Sequence, residues 1–573
     1  MTRTLLTLFF GLGLITAMER SAPSLAQVAP RPPRNPRLTP QTVTYTHFVR
    51  PDGSATSFCS QNEPCSLTRA VSLIGSASMR PGSIVLLQNG ADGVYSQGAL
   101  TFGGNGTAAE PIRFIGENGV RLTGTRTKAP ASAWERAPDR EFTWRLRWNE
   151  SGNFIVANVA QRPPVTTWRP IRVDDRLPPF TQSLGRPFTL DFPIRFTPRS
   201  SVAEVEAQHC TFWSDRANGY VYVHMCHDGA PAEADNVYLG PSGWGSIIIN
   251  GDYLTLENIA IEHVTGTALK VNPSASGTVL RNVTARAAQV WLEGVDTLAE
   301  DLDVSHVITQ GVHPTQCYDA NPDFGRGECW NASGDGRALL IGRQGRDTSS
   351  GQVVRRARVH RSWNGARVDG RQALEASTFW GFPNHSLEVS GSGGVIRDNV
   401  FLNAQDSIYL EGEPFDNLTV EHNLFVNAAL FWVSRDRAGG TSPVGWRLRH
   451  NILSTLVYDD KTYPSVTADC NLWIPSGSNP LLKVTGTDGA GDMSFATLDL
   501  IRSKTPLERN SVALSATKWT DGTLFRQYSN QASSAFDFTL VDPEMLVLCG
   551  QVVGPDSQRR ATPRADDQEE RRR

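Results

Sequence analysis

The 573-residue chain has no dominant charge: 55 Lys and Arg stand against 58 Asp and Glu, a formal net charge of -3. That excludes the basic footprint of a nucleic-acid-binding surface. Beyond residue 26 it lacks any apolar run long enough to cross a bilayer, so a mature chain would carry no membrane span. No Cys-x-x-Cys cluster appears among its eight cysteines, which favours disulfides over a cysteine-ligated metal. Charged residues reach only 20%, whereas glycine numbers 50 and proline 35, the composition of a turn-rich β protein.

What is present is a repeat. A phrase of alternating apolar and polar residues recurs as Leu269-Lys270-Val271-Asn272, Val290-Trp291-Leu292-Glu293-Gly294, Ala366-Arg367-Val368-Asp369-Gly370, Leu387-Glu388-Val389-Ser390-Gly391 and Ile408-Tyr409-Leu410-Glu411-Gly412, with weaker copies at Val312, Ala338 and Phe431. An interval of 20 to 30 residues, fixed over many copies, predicts a solenoid (about 20–50 residues per repeat). Alternation of period two predicts a half-buried strand with Leu269/Val271, Val290/Leu292, Ala366/Val368, Leu387/Val389 and Ile408/Leu410 inward. Between phrases lies an asparagine-broken run, at Asn258, Asn282, Asn399, Asn423 and Asn451. Asparagine tolerates left-handed backbone angles and can bond its neighbour in the next coil, so each coil reads strand, turn, strand, asparagine turn, strand.

This pattern resembles the right-handed parallel β-helix of the pectate lyase-like superfamily over roughly residues 242 to 474. A leucine-rich repeat has a similar period, but it needs a helical or extended convex segment where these intervals hold two short β-like runs. The expected fold class is therefore all-β: a right-handed parallel β-helix solenoid with an N-terminal capping helix and a β-rich insertion.

The rest of the chain divides around that repeat. Residues 1–26 read as a signal peptide, with Arg3, an apolar stretch from Leu5 to Met18 and a small-x-small site at Ser24-Leu25-Ala26, which predicts a secreted or periplasmic protein. Residues 27–40 form a proline-rich linker. Residues 41–124 read as N-terminal cap and first coils, with a short amphipathic helix after Cys65 closing the apolar end. This order resembles the cap of secreted β-helix lyases of the chondroitinase B and alginate lyase type. Residues 125–240 are a Trp-rich β insertion, with an Asn218-Gly219 hairpin, whose tryptophans serve as core or, on the other reading, stack on sugars. The β-helix takes 241–474, a C-terminal cap with a helix from Phe495 to Arg502 takes 475–550, and residues 551–573 form a disordered tail. Cysteine order suggests local pairs Cys59 with Cys65, Cys210 with Cys226 and Cys317 with Cys329, leaving Cys470 with Cys549.

Outward phrase residues stack coil over coil about 4.8 Å apart. One column reads Lys270, Trp291, His313, Leu339, Arg367, Glu388, Tyr409, Trp432, and the other Asn272, Glu293, Thr315, Ile341, Asp369, Ser390, Glu411, Ser434. Such columns can be a plain solvated face. Their mixture of aromatics, carboxylates and arginine suits an extended polysaccharide, acidic or neutral, bound by a monomer. Two chemistries fit. In a polysaccharide lyase, Arg367 with Arg343 or Arg371, or a bound Ca²⁺, would neutralise a uronate carboxyl while His313, Tyr409 or Lys270 abstracts the adjacent proton. In a glycoside hydrolase, Asp369 would pair with Glu388 in the adjacent coil or with Glu411 two coils on. Elimination is the favoured reading, hydrolysis the first alternative, and a non-catalytic surface or adhesion protein the second. Lyases of the resembled type carry Lys and Arg in successive coils near an Asn-Ser-rich stretch that this chain lacks, so no catalytic residue transfers. Pectate lyases hold Ca²⁺ on Asp clusters, whose nearest counterpart here is Asp319, Asp323, Glu328 and Asp335. No metal ligand set is assigned, although His209, His224 and His227 surround the second cysteine pair.

Overall fold

The structure, a computed structural model, describes residues 43–90, 93–125, 127–148, 153–158, 193–241, 245–264, 267–305, 337–343, 351–360, 362, 364–410, 416–426, 431–433, 444–459, 466–475, 480–485, 493–519, 525–529, 536–540 and 547–555. Their backbone winds into three parallel sheets. The first holds Leu298–Glu300, Val353–Arg355, Ala373–Glu375, Val395–Arg397, Thr419–Glu421, Trp446–Arg449 and Val466–Asp469. The second holds Asp303–Ser305 and Arg358–His360, then the leading parts of the long strands Thr378–Ser390 and Val400–Leu410. The third holds the phrases: Thr267–Val271, Gln289–Leu292, Arg337–Ile341, Asn364–Asp369 and the trailing parts of those long strands. Every neighbour is parallel and one coil away, so the chain is a parallel β-helix, and crossover sterics make such connections right-handed.

Apolar members of each phrase point inward as alternation requires. Leu269, Val290, Leu339, Ala366, Leu387 and Ile408 are all buried in one continuous core. On the second sheet Phe379, Phe401 and Phe425 stack along the axis, with centroids 5.1 and 5.0 Å apart.

Two expectations about the phrases need correction. Val290–Leu292 pair directly with Leu339–Ile341, so the copy at Val312 supplies no rung of this sheet. His313 and Thr315 lie outside the described residues. The rung that follows is also shifted by one residue: Trp291 opposes Leu340, and Leu340 opposes Arg367. Leu340 rather than Leu339 therefore belongs to the outward column, and Ile341 is inward beside Leu292 and Val368. With a period of two, a slip of one residue exchanges the faces.

The asparagines fall into two classes. Asn258 and Asn282 adopt left-handed angles themselves, and Asn282 Nδ2 donates to Asn258 Oδ1 at 2.8 Å. From Asp398 onward the left-handed residue is the preceding one, Asp398, His422, His450 or Cys470. Asn399, Asn423, Asn451 and Asn471 then turn inward, fully buried. Each Oδ1 accepts the backbone N–H of the coil before, at 2.9, 3.0 and 2.9 Å for the three steps from Asn399 to Asn471. This ladder satisfies buried backbone groups that the turn would otherwise strand.

Helix Leu67–Leu73, capped by Ser66, lays Leu67, Ala70 and Leu73 onto the main core at its N-terminal end. Between Arg121–Thr123 and Ile247–Ile249 the chain leaves the solenoid and builds two mainly antiparallel sheets around a separate core of Trp134, Ile155, Phe196, Phe212, Val221, Val223 and Leu239. Trp134, Trp144 and Trp148 serve that core, and Trp168 lies outside the described residues. The expected hairpin forms, with Asp215 opposite Tyr220. The C-terminal helix runs Leu498–Lys504 rather than from Phe495, because Thr497 caps it. Cys59–Cys65, Cys210–Cys226 and Cys470–Cys549 are bonded, as an oxidising compartment permits. Cys317 and Cys329 lie outside the described residues, as do residues 1–42, and none of the described helices is long and apolar enough to cross a membrane.

Along the outside of the first sheet runs a column of alternating charge: Glu257, Arg281, Glu300, Arg355, Glu375, Arg397, Glu421, Arg449, Asp469, each opposite the next. Arg281 Nε lies 3.1 Å from Glu300, and Arg397 pairs with Glu375 at 2.5 Å. Cross-strand opposite charges stabilise modestly and like charges the reverse. Arg397→Glu, which sets three acids in line, is expected to cost about 1 kcal/mol, less at high salt. Denaturant midpoints at two ionic strengths measure this.

Candidate active site

The outward face of the third sheet carries a charged cluster as buried as the core. Strand Asn364–Asp369 is buried along its whole length. Arg367, Asp369 and, one rung on, Glu388 are only 3, 2 and 3% exposed. Arg367 and Asp369 share a face two residues apart, and Nε of the arginine donates to Asp369 Oδ1 at 2.8 Å. Its Nη1 lies 3.8 Å from Glu388 Oε2. From the rung before, Arg337 donates its Nε to the same Glu388 oxygen. One guanidinium thus touches both carboxylates and a second anchors Glu388.

Taking ions out of water costs several kcal/mol each unless partners replace the solvent. Glu388 has two cations facing it, the arrangement that suits a carboxylate anion. Asp369 is served less well. Arg367 bonds Oδ1 and Ser390, opposite it in register, lends a hydroxyl, but Oδ2 has no hydrogen-bond partner of standard geometry. Burial pushes the Asp369 carboxyl above its usual range, and the Arg367 charge opposes without reversing the shift.

Gly342 makes room for this aspartate. Its φ is +98°, and a Cβ there would fall 2.4 Å from the Asp369 carbonyl oxygen. Gly342→Ala is expected to lower stability by about 1–3 kcal/mol and to displace Asp369. Thermal unfolding together with activity checks this.

Neighbouring groups complete the surface. Tyr409 opposes Glu388 in register, and its ring stacks on His385 at 4.1 Å and 11°. Asn364 Oδ1 accepts the His385 backbone N–H at 3.4 Å. Trp432 opposes Tyr409 in register, its side chain being outside the described residues. Glu411 lies outside them too, so of the two carboxylate pairs the structure assembles Asp369 with Glu388. Lys270 is committed elsewhere: its Nζ is 3.0 Å from Glu293 and 4.9 Å from the Trp291 ring centroid. Arg343 is half-buried and Arg371 exposed, each following a left-handed glycine at the corner after the phrase. Glu375, four residues after Arg371, pairs with Arg397.

Arg337, Asn364 and His385 escaped the sequence reading. They sit at the bend where the second sheet runs into the third, and strict alternation does not extend through a bend. Extending each phrase two or three residues toward its N-terminus would have found them.

No family model matches this chain, and no curated protein matches it. Among solved structures it is similar to XylC in complex with xylose, with 9% identity over 87% of this chain and 89% of that one and a TM-score of 0.50. A glycoside hydrolase gives 10% identity over 77% of this chain and 95% of that one, with a TM-score of 0.42. Pectate lyase Pel9A gives 11% over 70% of this chain and 80% of that one, at 0.34. By fold, then, this chain is a parallel β-helix.

Proposed function

We propose that the chain is a carbohydrate-active enzyme that cleaves a glycosidic bond at the outward face of the third sheet by hydrolysis, with Asp369 as acid and base and Glu388 as nucleophile. The observation that supports it is the unequal treatment of two buried carboxylates in adjacent coils. One is held by two guanidinium groups, while the other is pushed toward its protonated form and keeps an oxygen unbonded. Carboxyl groups whose environments separate their proton affinities mark an acid and its partner.

Asp369 opposes Ser390 and Glu388 opposes Arg367, so the two carboxylates sit diagonally across adjacent coils, drawn toward each other by the one Arg367 guanidinium that meets both, as the roughly 5–5.5 Å of a retaining pair requires. Glu388 would attack the anomeric carbon while Asp369 gives its proton to the departing oxygen. Asp369 would then take a proton from the water that releases the sugar from Glu388. Tyr409, half-buried and backed by the His385 ring, offers a ring face for stacking on a sugar. Arg367 bears against elimination, because its charge is already spent on Asp369 and Glu388, leaving little to neutralise a uronate. A neutral glycoside is therefore the better substrate, and xylose in the XylC complex puts pentosides on the panel.

The test is to incubate the chain with neutral and acidic polysaccharides and aryl glycosides, with and without Ca²⁺, following reducing ends and ultraviolet absorbance together. Reducing ends without absorbance support hydrolysis. Absorbance rising on a uronate polymer would establish elimination in its place, and adsorption without either signal would make the face a binding surface.

A further inference from the structure

The insertion holds a second constellation, which the glycosidic chemistry does not use. His224 ends strand Tyr220–His224, opposite Thr211, and the Cys210–Cys226 disulfide ties the chain together just past that pair. His209 and Asp228 flank the two cysteines. His209 Nε2 lies 2.7 Å from Asp228 Oδ1, His224 Nε2 lies 3.7 Å from the same oxygen, and one donor atom from each residue falls within 4.8 Å of the others.

His224 is built as a ligand. It is 3% exposed, and its Nδ1 meets the Val205 carbonyl at 3.1 Å. A carbonyl only accepts, so Nδ1 carries the proton in the neutral ring and Nε2 presents a lone pair. That Nε2 has no hydrogen-bond partner; it is a buried polar atom aimed at His209 and Asp228. Phe142 stacks flat on the ring at 5.7 Å, and the His209 ring lies 4.4 Å away, which fixes its orientation. Burial, then the nearby His209 charge, lowers the His224 pKa and favours the neutral form. Metal-binding histidines typically donate their second N–H to a carbonyl or carboxylate in this way.

We infer that His209 and His224, through Nε2, and Asp228, through a carboxylate oxygen, bind one divalent transition cation of the Zn²⁺ type. Tetrahedral zinc with ligands at about 2.0–2.2 Å sets its donors roughly 3.3 Å apart, inside the spread seen here. Two imidazoles and a carboxylate are borderline N/O donors, which favour zinc over Ca²⁺ or Mg²⁺. His209 and Asp228 are exposed, so the ion has an entry path and a fourth position open to water. His227 is not part of the set: its Nε2 meets Asp235 at 3.2 Å, and its Nδ1 accepts the Gly229 N–H. The cation would pin the residues before and after the disulfide.

The test uses the full, tag-free chain, stripped with chelator and dialysed against Zn²⁺ alone, with bound metal measured by mass spectrometry. Co²⁺ is then titrated and followed by its visible absorption. The expected result is one Zn²⁺ per chain, intense tetrahedral Co²⁺ bands, and a higher unfolding temperature with metal than without. His209→Ala and Asp228→Asn, both on exposed side chains that leave the fold intact, should each weaken binding by at least about tenfold. Stoichiometry well below one, or affinity unchanged in both variants, would overturn the site. So would binding that disappears on changing the stacked pair His422 and His450 instead.

Discussion

Asp369→Asn is expected to lower kcat by about 10²- to 10⁴-fold on glycosides with poor leaving groups, and by far less on aryl glycosides whose leaving group needs no proton. Asparagine keeps an oxygen for Arg367 Nε and nearly the same volume, so the loss would report the missing proton rather than a collapsed site. Glu388→Gln should cut both classes of substrate alike, because a nucleophile is needed whatever departs. In the parent enzyme, kcat/KM should fall as pH rises through the elevated Asp369 pKa, and Asp369→Asn should erase that limb. Leaving-group series and pH profiles for the two variants, with unfolding temperatures alongside, decide the assignment. If both variants unfold while a refolded fraction keeps full turnover, the cluster is a structural ion pair and the hydrolase reading fails.

The second large effect lies at the far end of the asparagine ladder. Asn471 Nδ2 donates to Glu508 Oε1 at 3.1 Å, and its backbone N–H meets Ser511 Oγ at 2.8 Å, while Ser511 bonds the other Glu508 oxygen. Glu508 is 1% exposed, and burial pushes its carboxyl up to about 7, against the bonds from Ser511 and Asn471. Unfolded, it would titrate near 4.5. The folded state therefore holds the proton more tightly, and the stability this provides is complete below the unfolded value and lost as pH rises to about 7. That interval corresponds to roughly 3 kcal/mol. Glu508→Gln keeps the acceptor for Asn471 and cannot ionise. Denaturant unfolding from pH 4 to 8 should show the variant gaining on the parent by about that amount, nearly all of it between the two titration points. A constant difference across the range would mean that Glu508 is not buried as a neutral acid.

Much of this architecture was legible because a solenoid repeats its instructions. The phrases at Ala366, Leu387 and Ile408 state the same alternation at nearly equal intervals, and those coils form in that register. Reading failed where the interval did. The rungs at Val290 and Leu339 pair directly although 49 residues separate them, and nothing in the alternation marks so long an interval. The one-residue slip at Ala338 has a similar origin, since four consecutive apolar residues, Ala338 to Ile341, fit either face. In the site, alternation brought Arg367, Asp369 and Glu388 to one face. It could not show that the face is buried, nor that Arg337 reaches across from two rungs away, because both depend on packing that no local period encodes.

The alternating charge column carries a further consequence for how coils find their places. Along it, sign depends only on whether a rung is odd or even. A coil docked one position out of step meets like charge at the junction it forms, whereas a displacement by two restores the match. The column therefore behaves as a parity check on assembly, strongest against the single-coil slip to which a repeating apolar core is blind. It implies that a chain of this kind can gain or lose coils more readily in pairs than singly.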